Sequence, residues 1–120
     1  MNLHESAEMY LETIYALSLQ QSTVRSIDVA ESMGFSKPSV SRAVSLLKQG
    51  GYLLMSKDGF LTLTPSGTAV AQKIYERHTV LSDMLTALGV SRQTATEDAC
   101  KIEHVISDET FDAIKKHLAR

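Results

Sequence analysis

Cys100, Glu103 and His104 form a C-x-x-E-H cluster, spaced three and four residues apart. On a helix that spacing puts all three side chains on one side, within reach of a single ion. A thiolate, a carboxylate and an imidazole together make a donor set for a divalent transition metal. Further donors lie far away in the sequence. Met9 and Glu12, three apart, share one face of an expected first helix. His78 lies on a stripe with Ile74 and Leu81, where a polar ring needs a reason to be. Each residue also has a plain structural reading. Cys100 serves as a small hydrophobe, Met9 as core, Glu12 as a solvated carboxylate and His78 as a hydrogen-bonded interface ring. Read one at a time, the residues leave both readings open. Cys100 with His104 could also suggest a nucleophile and base. No oxyanion hole or glycine-rich loop accompanies them, so an enzyme is not expected.

A second set of residues suits nucleic acid. Residues 36–58 hold Lys37, Arg42, Lys48 and Lys57 against Asp58 alone, although the chain as a whole carries a net charge of −2. Residues 97–112 are the opposite, with Glu97, Asp98, Glu103, Asp108, Glu109 and Asp112 against Lys101. Residues 1–24 contain Glu5, Glu8 and Glu12 and no Lys or Arg. Such asymmetry suggests that different regions meet different charged partners.

The elements that would position these groups are legible in outline. Ala7, Tyr10, Leu11, Ile14 and Leu17 recur at helical spacing over about residues 4–20. Ser26 is the expected N-cap of a short second helix that Gly34 stops. Ser36 is expected to cap a third helix with Pro38 in its first turn, where a missing N–H costs nothing. Val40, Ala43, Val44 and Leu47 form its buried stripe. Its outer face carries Pro38, Ser41, Arg42, Ser45 and Gln49, and Gly50-Gly51 ends it. Strands are expected at 52–55 and 60–63 around Ser56-Lys57-Asp58-Gly59, whose Asp-Gly pair is a hairpin signal. Thr64 then caps a long helix to about Leu88, with Pro65 at its first position. A further helix, opened by Ser91 or Thr94, runs to about Ile106, and Ser107 caps a last one to about Leu118.

Two helices around a tight turn, followed by a hairpin, spell a winged helix-turn-helix. The fold class is mainly α with a small β-hairpin: a winged helix-turn-helix at 1–64, then a helical dimerisation and metal-binding domain at 65–120. The expected DNA-reading residues are Ser36, Lys37, Pro38, Ser39, Ser41 and Arg42 on the third helix and Lys57 at the wing tip. Serine hydroxyls and helix N-terminal amides suit phosphates, and Arg42 reaches for a guanine edge. A winged helix that binds protein instead is the plain alternative. The long helix carries more apolar stripe than one small domain covers, so a homodimer is expected. No apolar run approaches the roughly 20 residues of a membrane span, and no signal peptide is recognisable at the N-terminus. With one cysteine among 120 residues, a reducing, cytoplasmic setting is expected.

The chain resembles the diphtheria-toxin-repressor and manganese-transport-regulator family of metal-dependent transcriptional repressors. The resemblance rests on A-E-M-Y-L-E-T-I-Y at 7–15, D-V-A-E-S-M-G-F-S at 28–36, P-S-V-S-R at 38–42, L-T-P-S-G at 63–67, E-R-H at 76–78 and C-K-I-E-H-V-I-S-D-E at 100–109. It implies a homodimer in which Mn2+ or Fe2+ bridges the first helix to the dimerisation helices, with Zn2+ or Co2+ able to substitute in vitro. It also implies a palindromic double-stranded DNA operator, usually at metal-uptake genes. The family's ligand positions fall on Met9, Glu12, His78, Cys100, Glu103 and His104. Manganese-type members have aspartate at the position of Met9 and glutamate at that of Cys100. Iron-type members have Met and Cys there, but no carboxylate at the position of Glu12. This chain mixes the two patterns. Ser82 and Thr96 stand at positions of the iron-type ancillary site, and the SH3-like domain of that branch is expected to be absent. The alternative function is a metal-independent winged-helix regulator that senses a small ligand.

Overall fold

The structure, a computed structural model, describes residues 5–119. The elements are α1 (Glu5–Gln20), α2 (Ser26–Met33), α3 (Lys37–Gln49), β1 (Leu53–Met55), β2 (Leu61–Leu63), α4 (Pro65–Ala87), α5 (Arg92–Ile102) and α6 (Asp108–Leu118). Residue 4, where the first helix was expected to begin, lies outside the described residues. The chain divides into two compact units after Gln72, within α4.

The first unit is a winged helix. Its core is Tyr10, Leu11 and Ile14 of α1, Val29 and Ala30 of α2, Val40, Val44 and Leu47 of α3, and Leu53, Leu61 and Ala71. These are the apolar positions of each helical repeat, so the three helices pack by burying one stripe apiece. Gly34 closes α2 at φ 71°, a left-handed conformation that favours glycine, and its N–H reaches the Ala30 carbonyl. The N-cap of α2 is Arg25, not Ser26. The Arg25 N–H donates to Asp28 Oδ2 at 2.8 Å, so the carboxylate three residues on does the capping. Ser36 caps α3 as its sequence indicates, accepting from the Ser39 N–H at 3.3 Å.

The wing is an antiparallel pair with Leu53 opposite Leu63 and Met55 opposite Leu61. Tyr52 and Phe60 fall just outside the strands. The Leu61 N–H also donates to the Val24 carbonyl at 2.7 Å, and Arg25 forms an isolated bridge with Phe60. The linker between α1 and α2 thus covers the outer edge of β2. Gly67 in the first turn of α4 lets the helix approach the hairpin: a Cβ there would sit 2.0 Å from the Tyr52 carbonyl oxygen.

The second unit is helical. Ile74 and Leu81 of α4, Ala95 and Ala99 of α5 and Phe111 of α6 are buried in it. Ser91 and Ser107 cap α5 and α6 through the Thr94 and Thr110 N–H groups. Helix α5 ends at Ile102, four residues earlier than expected, and residues 103–105 continue as a turn. Leu88, just past α4, remains 74% exposed, so the end of the apolar stripe expected on the long helix is uncovered within one chain; Val105, in the turn after α5, is 72% exposed. No helix among the described residues is long and apolar enough to cross a membrane.

Candidate nucleic-acid face and metal centre

In the first unit α3 turns Val40, Val44 and Leu47 inward, which points Lys37, Pro38, Ser41, Arg42 and Ser45 outward. All five are exposed. Ser36 and Ser39 are differently employed. Their hydroxyls lie 3.0 Å apart and Ser39 is half-buried, so both belong first to the helix cap. Lys57 is exposed at the hairpin tip, where Ser56 accepts from the Phe60 N–H and the Gly59 N–H closes back on the Ser56 carbonyl. The tip is therefore a tight, internally bonded turn that presents a lysine.

Two features of this face escaped the sequence reading. The Arg25 guanidinium sits 4.6 Å over the Phe60 ring, adding a cation at the base of the wing. Leu46, one turn after Arg42, is 67% exposed on the same helix. The signal for Leu46 was present, since it lies off the Val40, Val44 and Leu47 stripe. Arg25 gave none, because its partner is 35 positions away.

In the second unit a carboxylate is buried between imidazoles. The Glu103 side chain has no exposed surface. Its Oε2 lies 2.8 Å from His78 Nδ1 on α4, and its Oε1 lies 3.3 Å from His104 Nε2. Among the described residues Oε1 accepts no hydrogen bond. A buried carboxylate is costly unless something positive answers it. A buried carboxylate with one under-satisfied oxygen and an imidazole at each oxygen is a donor arrangement that fits a divalent cation. Cys100 is half-buried in the last turn of α5, three residues before Glu103. Met9 and Glu12, both half-buried, stand three apart on α1 in the first unit.

The sequence reading missed Arg77. It is 5% exposed and donates to the carbonyls of Glu103 and Ile106 and to the Asp108 carboxylate. A signal was available: Ile74, Arg77 and Leu81 are spaced by three and four, which places a cation on an apolar stripe. Asp108 also receives Lys73 Nζ at 3.0 Å. That hydrogen bond and charge, followed by Arg77, hold the Asp108 carboxyl below its ordinary value.

A trihelical core with a wing and a cationic third helix, joined to a helical unit holding imidazoles and a buried carboxylate, defines a winged helix-turn-helix regulator with a ligand-binding module. The chain belongs to the iron dependent repressor family. Residues 2–61 match that family's N-terminal DNA binding domain, and residues 64–120 match its metal binding and dimerisation domain.

Relatives agree. The transcriptional regulator MntR of Salmonella typhimurium is 36% identical over 109 residues, covering 91% of this chain and 69% of that protein. The diphtheria toxin repressor of Corynebacterium diphtheriae is 33% identical over 118 residues, covering 98% of this chain and 52% of that one. Among solved structures, a manganese-dependent transcriptional repressor in complex with manganese superposes with a TM-score of 0.86 at 29% identity, over 94% of this chain and 52% of that one. The manganese regulator SloR gives 0.82 at 28%, over 99% and 55%. The chain thus spans about two thirds of the first of these relatives and about half of the others.

Proposed function

We propose that this chain is a metal-dependent transcriptional repressor, activated by Mn2+ or Fe2+, that binds a palindromic operator as a homodimer and regulates metal uptake in the cytoplasm without catalysing a reaction. The observation that carries the reading is the buried Glu103 carboxylate with His78 and His104 at its two oxygens. It lies in the segment that matches a metal binding and dimerisation domain.

The proposed ligand set is Met9, Glu12, His78, Cys100, Glu103 and His104. Met9 and Glu12 belong to the reading module, 1–64, and the other four to the dimerisation module, 65–120. A bound divalent cation supplies the positive charge and coordination demand that the donor set lacks. Ligands drawn from both modules then favour the relative arrangement that suits the operator, which shifts a population between existing states. Neutralising the donors' charge also lessens repulsion of DNA phosphate. Arg42 reads a base edge, Lys37, Ser41 and Lys57 engage phosphates, and Pro38 lies against bases. Ser36 and Ser39 order the helix N-terminus that faces the backbone. The exposed Leu88 and Val105 supply apolar surface for the dimer.

The test is DNA binding titrated with Mn2+, Fe2+ and Zn2+ in parallel, without oxygen, on operator sequences selected from a random pool. Tight binding with Mn2+ or Fe2+ and loss in chelator is expected. Equal binding in chelator, with no stoichiometric metal in equilibrium dialysis, would move the protein to the class of metal-independent winged-helix regulators. Sedimentation of the apo protein should show a dimer at micromolar concentration.

A further inference from the structure

We propose that Arg77 is the positioning residue of the metal centre, setting the backbone from which Glu103 and His104 present their donors. The proposal rests on the metal-centre reading above. Where α5 ends, its last carbonyls have no partner within the helix. The Ile102 carbonyl accepts the Val105 and Ile106 N–H groups. The Glu103 and Ile106 carbonyls instead accept from Arg77 Nη1, at 3.1 and 2.9 Å. Arg77 Nη2 donates to Asp108 at the start of α6, and the guanidinium carbon lies 5.4 Å from the Phe111 ring centroid. One guanidinium therefore fastens residues 103, 106, 108 and 111.

The residue after Arg77 is His78, whose Nδ1 meets the Glu103 carboxylate. A single turn of α4 thus fixes Glu103 twice, at its backbone oxygen through Arg77 and at its carboxylate through His78. The planar fork reaches two carbonyls from Nη1 and the carboxylate from Nη2, whereas an ammonium would have to gather all three acceptors around one nitrogen on a flexible stem. A purely structural role would join α5 to α6 and nothing more. A positioning role also makes the donor geometry depend on Arg77.

The test compares R77K with wild type in the full chain. Mn2+ affinity is read by equilibrium dialysis, the Co2+ absorption spectrum reports donor geometry, and melting of the apo protein reports stability. R77K should weaken Mn2+ binding about 10- to 100-fold, as changes to groups supporting ligands do, and should shift the Co2+ bands. In an E103A background the effect of R77K on affinity should shrink but not vanish, because the same backbone also presents His104. Wild-type affinity and Co2+ bands in R77K overturn the proposal even if its melting temperature falls. Should R77K fail to fold, D108N carries the test, because it unties the guanidinium from an exposed carboxylate. A smaller loss of Mn2+ affinity with shifted Co2+ bands is expected, and unchanged bands overturn the proposal. Wild-type protein that binds neither Mn2+ nor Co2+ would overturn the metal centre itself, which is a different failure.

Discussion

The candidate DNA face and the candidate metal centre use charge in opposite ways. Lys37, Arg42 and Lys57 are exposed on the first unit. Glu103 and Arg77 are buried in the second, within a network of short contacts. The difference follows from what each must meet. A phosphate backbone brings its own charge and tolerates long, solvated side chains that settle on contact. A small cation demands donors already close together, and holding a carboxylate and imidazoles out of water requires partners for every remaining atom. Orderly exposure serves the first task and buried cross-links the second. Changes at the metal centre should therefore reach DNA binding through the metal, while changes on the DNA face should leave metal binding intact.

The largest effect is expected at Glu103. E103Q keeps the shape but removes the buried negative charge on which the centre depends. Mn2+ affinity should fall by about a hundredfold or more, beyond the range for groups that merely support ligands. Metal-activated DNA binding should fall with it, while weak salt-sensitive binding to random DNA stays. Calorimetry with Mn2+ and a gel shift at two salt concentrations check both halves. An E103Q protein with full Mn2+ affinity would remove Glu103 from the ligand set.

R42A should act on DNA binding alone. Arg42 is exposed on α3, off the stripe of Val40, Val44 and Leu47 that holds the helix in place. Its loss should cost roughly 1–3 kcal/mol of operator binding and leave Mn2+ affinity unchanged. Fluorescence anisotropy on the selected operator and dialysis against Mn2+ measure the two separately. A matching drop in both would mean that the two regions are not separable in this way.

The contrast also explains what could be read from the sequence. The α3 face was legible because exposure on a helix follows a fixed period, and because Ser36, Pro38 and Gly50 mark its ends. The C-x-x-E-H cluster was legible as three donor types. The end of α5 at Ile102 was not. No glycine or proline stands there, and the turn that follows is fastened by Arg77, which lies 26 positions before Glu103. Likewise Arg25 pairs with Phe60, 35 positions away, through contacts that no local rule contains. Local chemistry marks where an element begins. Distant side chains decide how a buried turn finishes.

A more moderate effect concerns which metal activates. Met9 and Cys100 bring soft sulfur, which favours Fe2+, Co2+ or Zn2+ relative to Mn2+; Glu12, Glu103, His78 and His104 are harder donors. We expect activation by both Fe2+ and Mn2+. The double change Met9→Asp, Cys100→Glu should lower the ratio of Fe2+ to Mn2+ activation several-fold. Parallel anaerobic titrations decide the matter. An unchanged ratio would mean that the sulfur atoms only pack, leaving the carboxylates and imidazoles to set the preference.

The smallest expected effect lies at the border between the buried network and solvent. Asp108 is exposed, yet it is the carboxylate to which both Lys73 and Arg77 reach. Lys73 first, then Arg77, hold its carboxyl below the usual value of 3.8. A group whose folded-state pKa is depressed adds stability above its unfolded pKa and loses it as pH falls through the folded value. Wild type should therefore melt slightly above D108N at neutral pH, and the gap should close on the acid side of the aspartate range, where Asp108 is protonated. Salt should narrow the gap at neutral pH as well, because Lys73 is exposed and its share of the pairing is screened. Arg77 is buried, so part of the gap should survive in high salt. Melting curves of both proteins across pH, at low and high salt, test this. A gap that salt abolishes entirely would place the whole contribution on Lys73 and leave none to the contact between Asp108 and the buried guanidinium.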